Sequence, residues 1–368
     1  MTFRIDLSLG RNGYPIFVRA GMLKNPEKGL VRHFFPRKTA IVASKKIYRV
    51  HGRQLATWLS RQGIPVQKIF VNDSETRKNE KTLFAILRKM AEFGFNRDSG
   101  LVALGGGVIG DMTGLAASLY MRGIPYIQCP TTLLAQVDAG IGGKTAIDFC
   151  GTKNLIGAFY QPKAVLIDPD ALKTLPQRQF ISGLAEVVKY GVIRDENLFS
   201  FMEANKQPIL SRDSKFLRYI IARSCAIKAD VVSRDEREGG LRAVLNYGHT
   251  LGHALESYFE YEYLTHGEAI SYGMWFAGLL SSSLGLCGQE IVDRQVKLLQ
   301  SLGLFRALPK LDNNRLLKIM ALDKKSKNGQ VQFVLTRKIG LVNIRKNIPR
   351  STILSALTRL QAEARELI

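Results

Sequence analysis

The sequence predicts an N-terminal α/β domain with a parallel sheet, followed by an all-α domain. Its 368 residues exceed the length at which one hydrophobic core keeps growing, so two domains are expected. In the first half, short apolar strands alternate with amphipathic helices, whereas strand signals largely stop after about residue 175. We therefore expect the two domains at 1–175 and 176–368.

The individual elements follow from local patterns of apolar residues. β-branched apolar runs predict buried strands at 38–44, 66–71, 101–104, 126–129 and 164–167. An apolar stripe at helical spacing runs through 80–93, and the clearest later helices are 177–193, 215–232, 241–259 and 267–284. Strands that alternate with helices along a chain indicate a parallel sheet.

Cysteine usage and the N-terminal residues both bear on the compartment. The four cysteines lie far apart and form no C-x-x-C pair, which argues against a disulfide framework or a thiolate zinc site. The N-terminus alternates polar and apolar residues and lacks the basic and continuous apolar regions of a secretory signal. We expect reduced thiols and a cytoplasmic protein.

One uncharged stretch, 269–288, is roughly long enough to span a bilayer. Serines and glycines occur throughout it, and His266 and Glu268 come directly before it. This polarity favours a buried helix, so we expect no membrane contact.

The charge balance is strongly basic, with 53 Lys and Arg against 31 Asp and Glu, a net charge of +22. The basic residues are spread over several segments and are not gathered into one run with interleaved aromatic residues. This distribution favours attraction of small anions, and we expect no nucleic-acid partner.

A glycine loop follows the predicted strand at 101–104. The residues GGGVIGD at 105–111 contain G-x-G-x-x-G between a predicted strand and a predicted helix, the context in which backbone amides bind phosphates. The acidic residue expected about 20 positions later in a standard dinucleotide fold is absent. Acidic residues end an earlier strand, at Asp73 and Glu75. A dinucleotide, another phosphate ligand and tight helix–strand packing all remain possible.

A second loop combines hydroxyls, a carboxylate, glycines and a lysine within 130–145. It is not a Walker A motif, because Asp138 occupies the position that needs glycine before Lys144. Lys153 and Asn154 add further donors. These residues suit an anion site, although each lysine could equally be a solvated loop charge.

Three of the five histidines, His249, His253 and His266, fall within 18 residues. His249 and His253 are four apart, as paired metal ligands on one helix face are, but Thr250 replaces the glutamate of a metalloprotease motif. Glu186 lies in an apolar helix and needs a partner, which could be a metal or simply Lys189. The histidines could also be satisfied core residues.

Several motifs together resemble the 3-dehydroquinate synthase family, in the order and spacing of that family. They are GGGVIGD at 105–111, PTTLLAQVDAGIGGKT at 130–145, KNLIGAFYQP at 153–162, GLAEVVKYG at 183–191, GLRAVLNYGHTLGHALE at 240–256 and HGEA at 266–269. The resemblance covers most of the chain. It implies an NAD-binding α/β domain, an α-helical metal- and substrate-binding domain, and a homodimer.

The resemblance also implies the ligand sets. It assigns one divalent metal ion, zinc or cobalt, to Glu186, His249 and His266, with His253 facing the substrate. The NAD contacts that it implies are Asp73, Glu75, Lys78, Gly106, Gly107, Val108, Gly110, Asp111, Thr131, Thr132, Asp138, Lys144, Lys153 and Thr174. The substrate contacts that it implies are Arg122, Asp138, Lys144, Asn154, Lys189, Lys228, Arg242, Asn246, His253 and Lys324.

The implied reaction converts a phosphorylated sugar acid, 3-deoxy-D-arabino-heptulosonate 7-phosphate, into 3-dehydroquinate and phosphate. It proceeds through transient oxidation by NAD, β-elimination of phosphate, reduction and intramolecular aldol closure, with His253 as the candidate proton shuttle. Three positions depart from the usual family pattern and affect contact details: Ser74, Arg77 and Asp148.

Three alternative functions fit the sequence less well. Another sugar-phosphate cyclase would act on a substrate without the carboxylate, which Arg242 and Asn246 disfavour. A metal-dependent polyol dehydrogenase would release NADH, and the residues at 130–162 fit it poorly. A binding protein without catalysis is disfavoured by the intact Glu186 and histidines.

Overall fold

The computed structural model describes residues 2–324 and 331–367. Its strands are β1 (Phe3–Leu7), β2 (Tyr14–Val18), β3 (Lys38–Ala43), β4 (Val66–Phe70), β5 (Ser99–Gly105), β6 (Tyr126–Pro130), β7 (Lys144–Phe149), β8 (Thr152–Phe159), β9 (Ala164–Ile167), β10 (Phe333–Lys338) and β11 (Leu341–Arg345). Its helices are α1 (Lys28–Phe34), α2 (Lys45–Ile47), α3 (Arg53–Arg61), α4 (Glu80–Glu92), α5 (Gly107–Leu119), α6 (Gln177–Arg194), α7 (Glu196–Ala204), α8 (Lys206–Leu210), α9 (Ser214–Arg234), α10 (His249–Tyr258), α11 (His266–Ser283), α12 (Gln289–Ser301), α13 (Asn313–Lys324) and α14 (Arg350–Leu367).

The described residues form two compact units. The first unit comprises Met1–Pro176 and Ser214–Arg237, and the second comprises Gln177–Asp213 and Glu238–Ile368. The chain leaves the first unit near the boundary expected at residue 175 but returns to it for α9. The return has a packing cause, because α9 lies against β1 and against the turn at 135–139.

The first unit is built on a seven-stranded sheet in the order β1-β2-β9-β6-β5-β3-β4. β1 pairs antiparallel with β2, and the other pairs are parallel, which confirms the predicted parallel strands. The strand order reverses between β3 and β5. In open sheets, ligands bind beyond the carboxyl ends of the strands at such a switch point, and the glycine loop follows β5 there.

Both faces of this sheet are buried. Ile41 and Leu104 point into one apolar cluster, whereas Val42 and Leu101 point into the other. Alternate residues of a strand face opposite sides, so a sheet covered on both faces needs apolar residues at nearly every strand position. This explains the continuous apolar runs in the sequence.

A hairpin lies between β6 and β9, in a stretch where the sequence predicts no strand. β7 and β8 pair antiparallel around a turn in which Cys150 and Gly151 have positive φ angles of 48° and 74°. The strand signal is weak in the sequence because β8 is exposed along most of its length, so its polar and apolar residues do not alternate clearly. The hairpin packs against α5.

The second unit is mainly helical and is centred on α11, which packs against α6, α10, α12 and α14. The helix expected at 241–259 is wrong in one respect: a 3₁₀ turn at 241–246 precedes α10. The break falls at Gly248, whose φ of 78° is left-handed and ends any continuous helix. A small antiparallel hairpin, β10–β11, adds strands to this unit. Among the described helices, none combines the length and the hydropathy needed to cross a bilayer.

Candidate functional site

Glu186, His249 and His266 come together in the second unit. Glu186 lies in the middle of α6, and the two histidines are the first residues of α10 and α11. Oε1 of Glu186 lies 3.4 Å from Nε2 of His249 and 3.2 Å from Nε2 of His266. The three potential ligand atoms all lie within 4.8 Å of one another. Glu186 is completely buried and His249 nearly so.

Close helix packing next to the ligands explains this convergence. A Cβ atom on Gly267 would lie 2.0 Å from the backbone oxygen of Ser182, so only glycine allows α11 to approach α6 so closely. The Gly267 amide also donates to Oγ of Ser182 at 2.9 Å. Ser182 lies one turn before Glu186 on α6, and Gly267 directly follows His266. The contact therefore fixes the spacing between these two ligands.

The start of α11 is held by a capping box and an ion pair. Thr265 accepts from the Glu268 amide, and the Thr265 amide donates to Oε2 of Glu268 at 2.7 Å. Arg178, at the start of α6, donates to both carboxylate oxygens of Glu268 at 2.8 and 2.7 Å. These bonds tie the helix carrying Glu186 to the helix carrying His266.

Both histidine rings are anchored at the nitrogen that points away from the cluster. Nδ1 of His249 lies 3.1 Å from the backbone oxygen of Tyr247. Nδ1 of His266 lies 3.3 Å from Oε1 of Glu256. Both partners accept a proton from Nδ1, so each ring is held with Nε2 facing the cluster.

The cluster is electrostatically balanced without a metal. The buried Lys189 ammonium contacts the Glu186 carboxylate. Burial opposes ionisation of Glu186, but Lys189 and the histidines outweigh it and hold the Glu186 pKa well below its usual range. Burial lowers the pKa of His249 to about 4, whereas bonds to Glu186 and Glu256 outweigh burial and raise that of His266 to about 10. A metal bound at Nε2 must therefore displace a proton from His266.

The donor set fits a divalent metal such as zinc. Two imidazole nitrogens and one carboxylate oxygen are ligands that zinc accepts, and three protein ligands leave a fourth position for substrate or water. His253 does not belong to the group of ligand atoms within 4.8 Å found among the described residues, although its ring centroid lies 5.3 Å from that of His249. Helical spacing alone favoured His253 as a ligand.

Other predicted residues also lie in the second unit. Arg242 is 2% exposed, and Asn246 donates to Oε1 of Glu238 at 3.1 Å. Both belong to the 3₁₀ turn that precedes α10. The side chain of Lys324 lies outside the described residues.

In the first unit, the glycine loop joins β5 to α5. A Cβ atom on Gly106 would lie 3.2 Å from Cγ2 of Thr132, and one on Gly107 would lie 3.3 Å from Cβ of Ala139. Side chains would therefore fill the space above the helix start, where backbone amides are available to an anion. Oγ1 of Thr131 is buried and has no hydrogen-bond partner among the described residues. The loop fits a phosphate-containing ligand such as a dinucleotide.

The other glycine of the motif has a packing role. A Cβ atom on Gly110 would lie 3.0 Å from the amide group of Gln128 on β6. Gly110 therefore allows α5 to lie close to the sheet. Val108 and Asp111 are in the first turns of the same helix.

Lys78 and Asp111 form a largely buried ion pair, with Nζ 2.6 Å from Oδ2. Lys78 also donates to Oδ1 of Asn154. Burial raises the pKa of Asp111 to about 6 despite the nearby ammonium, while Asp111 outweighs the effect of burial on Lys78 and raises the pKa of that amine. Both shifts leave the pair ionised at neutral pH.

A second ion pair joins α9 to the turn at 135–139. Nζ of Lys228 lies 2.6 Å from Oδ1 of Asp138 and donates to its backbone oxygen at 2.7 Å. Lys228 thus belongs to the first unit, although its sequence position lies in the segment expected to form the second domain. Lys153 lies 3.5 Å from Glu75 in a more exposed pair.

The remaining predicted residues of the first unit are exposed or half-buried. Arg122 and Lys144 are exposed, and so is Asp73. Oγ1 of Thr132 accepts from the Ala135 amide, and Oγ1 of Thr174 lies 3.2 Å from Nε2 of His51. The roles of these residues stay predictions.

Sequence reasoning missed the residues that support the candidate metal ligands. The position of Glu256 could have been predicted, because it follows His249 by seven residues and so lies on the same helix face. Thr265 and Glu268 carry the T-x-x-E spacing of a capping box. The partnership of Glu238 with Asn246 has no sequence signal, since it depends on a left-handed residue, Glu238, with φ of 61°.

The fold of the chain is that of solved sugar-phosphate cyclases. The chain is similar to 2-epi-5-epi-valiolone synthase from Streptomyces hygroscopicus, solved with NAD⁺ and Zn²⁺ bound, with 28% identity and a TM-score of 0.88 over 95% of this chain and 97% of that one. It is also similar to 2-deoxy-scyllo-inosose synthase complexed with carbaglucose-6-phosphate, NAD⁺ and Co²⁺, with 25% identity and a TM-score of 0.88 over 98% and 100% of the two chains.

The chain belongs to the 3-dehydroquinate synthase family. The family models for the N-terminal and C-terminal parts of 3-dehydroquinate synthase match residues 68–182 and 183–326. A 3-dehydroquinate synthase of Thermodesulfovibrio yellowstonii is 46% identical over 342 residues, which are 93% of this chain and 95% of that protein. The resemblance stated from the sequence motifs is confirmed.

Proposed function

We propose that this protein converts 3-deoxy-D-arabino-heptulosonate 7-phosphate to 3-dehydroquinate and phosphate. The observation that carries the proposal is the cluster of Glu186, His249 and His266, in a chain that belongs to the 3-dehydroquinate synthase family. The reaction makes the enzyme a carbon–oxygen lyase that needs NAD and one divalent metal ion, zinc or cobalt. The bound cofactors of the two similar cyclases support this requirement.

Glu186, His249 and His266 hold the metal in this proposal. When bound, the metal supplies Lewis acidity towards substrate hydroxyls, and NAD supplies transient hydride acceptance. The anchored Nδ1 atoms of the histidines keep both rings in place while substrate binds and leaves. Burial keeps bulk water away from the carboxylate.

His253 is proposed to move a proton at the carbon-5 oxygen of the substrate. Its ring lies beside both histidine ligands, with centroids 5.3 Å from His249 and 6.3 Å from His266. An imidazole can accept and return a proton near neutral pH, which a reversible oxidation at one carbon requires.

Cationic and amide side chains are proposed to bind the substrate carboxylate and phosphate. Arg242 suits a carboxylate because its planar guanidinium can donate two parallel hydrogen bonds. The residues proposed to contact substrate are Arg122, Asp138, Lys144, Asn154, Lys189, Lys228, Arg242, Asn246, His253 and Lys324. Binding the carboxylate and the phosphate at the two ends of the substrate restricts it to conformers that can cyclise.

The first unit is proposed to bind NAD around the glycine loop. The amides at the start of α5 support a pyrophosphate there, as does the buried Thr131 hydroxyl, which has no hydrogen-bond partner within 2–324 and 331–367. The residues proposed to contact NAD are Asp73, Glu75, Lys78, Gly106, Gly107, Val108, Gly110, Asp111, Thr131, Thr132, Asp138, Lys144, Lys153 and Thr174. We further propose a cytoplasmic homodimer, for which light scattering on the purified protein is the test.

The test is turnover of the zinc- or cobalt-loaded protein with NAD and 3-deoxy-D-arabino-heptulosonate 7-phosphate. Phosphate and 3-dehydroquinate should form in equal amounts, without accumulation of NADH. Activity should be lost in His249→Ala and retained in His33→Ala, which removes an exposed histidine of α1. Steady NADH release without phosphate would contradict the proposal and indicate a polyol dehydrogenase.

A second candidate is a cyclase that acts on a sugar phosphate without a carboxylate. The TM-scores of 0.88 to the valiolone and inosose synthases support this second candidate. Sedoheptulose 7-phosphate and glucose 6-phosphate discriminate between the two. Phosphate release from either sugar, with none from the heptulosonate, would establish the second candidate.

A further inference from the structure

Glu256 contacts a proposed metal ligand on the side away from the cluster. Its Oε1 lies 3.3 Å from Nδ1 of His266, while Nε2 of the same ring lies 3.2 Å from Glu186. The Glu256 side chain is only 12% exposed. The imidazole is therefore held between two carboxylates, one in the cluster and one behind it.

We propose that Glu256 is a positioning residue that fixes the orientation and tautomer of His266 and thereby sets the affinity and geometry of the metal site. The proposal rests on the metal-binding part of the proposed function. A carboxylate accepts the Nδ1 proton of a neutral imidazole, so the Nε2 lone pair remains directed at the metal. The negative charge also makes that nitrogen a stronger donor.

The position of Glu256 on α10 supports this role. His249, His253 and Glu256 are spaced by four and three residues, so they share one face of that helix. One helix thus presents a proposed ligand, the proposed proton shuttle and the support for a ligand on α11. Glu256 thereby links the orientation of His266 to the helix that carries His249.

The two histidines differ in the kind of support they have. His249 bonds the backbone oxygen of Tyr247, which no substitution removes. Nδ1 of His266 bonds the side chain of Glu256, which a substitution can remove without changing any proposed metal ligand. Glu256 is therefore the position at which the support of a ligand can be tested separately from the ligand itself.

The experiment measures metal binding by Glu256→Ala and Glu256→Gln, with Glu262→Gln as the matched control. Glu262 is exposed, so its substitution removes the same charge a few residues away. Zinc affinity is measured by competition with a chelator, and the cobalt-loaded proteins are compared by their visible absorption bands. Thermal unfolding of the metal-free variants reports whether they fold.

Removal of a partner behind a ligand typically weakens metal affinity by about 10–100-fold. We expect Glu256→Ala to lose zinc affinity in this range and to change the cobalt bands. Glu256→Gln should lie between this variant and the unsubstituted protein, because its amide oxygen still accepts the Nδ1 proton but carries no charge. Glu262→Gln should match the unsubstituted protein.

Equal zinc affinity and equal cobalt bands for Glu256→Ala and the unsubstituted protein would overturn this inference alone. If the unsubstituted protein bound neither metal, the proposed function would fail and the inference with it. If Glu256→Ala did not fold, Glu256→Leu, which fills a similar volume without a hydrogen-bond acceptor, would decide the question in its place. Activity is not needed for any of these outcomes.

Discussion

The two candidate sites are built in different ways. In the second unit, the cluster consists of buried side chains from three helices whose spacing is fixed by close contacts such as Gly267 with Ser182. In the first unit, the glycine loop offers backbone amides, and the nearby side chains Lys78 and Asp111 are paired with each other. At the first of these sites the candidate ligand side chains already lie close together. At the glycine loop, the absence of side chains leaves room for a ligand next to the backbone amides.

This difference follows from what each ligand requires. A metal ion needs a few atoms at fixed distances, which buried and mutually bonded side chains provide. A dinucleotide is long and carries its charge on phosphates, so a helix start without side chains can bind it. Substitutions at the candidate metal site should therefore act through charge, and substitutions of the loop glycines should act through shape.

The largest effect is expected for Lys189→Met, which breaks a buried i,i+3 ion pair. Lys189 and Glu186 are 1% and 0% exposed, and removal of one partner of a buried pair costs about 3–5 kcal/mol. The measurement is urea unfolding of the metal-free protein in a Trp58→Phe background. Trp275, in the second unit, is then the only tryptophan. Added zinc should recover part of the loss, because it restores positive charge beside Glu186.

Arg359→Met is the matched control for this prediction, since Arg359 forms a more exposed i,i+4 pair with Glu363 at 2.6 Å in the same unit as Trp275. Exposed pairs contribute about 0–1 kcal/mol. Equal losses in the free energy of unfolding for the two variants would show that burial does not strengthen the ion pair of Glu186. The candidate metal site would then not depend on buried charge as argued above.

A smaller effect is expected from the titration of Asp111. Its pKa is raised from 3.8 to about 6, so it contributes stability that is fully present below pH 4 and is lost as the pH rises through 6. Asp111→Asn does not titrate. The free energy of unfolding of the variant, relative to the unsubstituted protein, should therefore rise by on the order of 2–3 kcal/mol between pH 4 and pH 7.

The measurement is urea unfolding at several pH values, followed by Trp58 fluorescence in a Trp275→Phe background. The slope with pH is diagnostic, because the Asp111 carboxyl titrates in this range whereas the amide that replaces it does not. A flat difference would show that burial does not raise the pKa of Asp111.

The smallest effect is expected for Gly107→Val in the glycine loop. A Cβ atom there already lies 3.3 Å from Ala139, so a branched side chain fills the space in front of the helix start. We expect NAD⁺ affinity to fall about tenfold, which corresponds to about 1.4 kcal/mol. Titration calorimetry with NAD⁺ and with zinc tests whether the two sites respond separately.

Gly29→Val is the control, because Gly29 is a helical glycine with open space around it. It should leave both affinities unchanged. A loss of zinc affinity in Gly107→Val would contradict the separation of the two sites.

Much of the fold could be predicted because its strands are buried on both faces. β3, β5 and β9 are apolar apart from Lys38, Thr39 and Ser99 at the strand starts, and no exposed position interrupts them. β8 was missed because exposure removes that pattern. The return of α9 to the first unit could not be predicted, since helical periodicity gives the apolar face but not the surface against which it packs.

Residue types and spacing predicted a candidate metal site but not its ligands, which only the family resemblance named. Spacing on one helix favours His249 with His253, whereas the structure groups His249 with His266 from another helix. The choice depends on how α10 and α11 cross. A Cβ atom on Gly273 would lie 1.8 Å from the backbone oxygen of Gly248, so the crossing is set by glycines that no metal-ligand motif includes.

The contact between Gly267 and Ser182 has a consequence for protein design. A designer who copies only Glu186, His249 and His266 onto another helical bundle transfers the ligands without the interhelical distance that brings them together. Helices in bundles usually pack with their axes 8–10 Å apart, and a close crossing needs residues without side chains at the contact. The smallest transferable unit of this site therefore includes its glycines as well as its ligands.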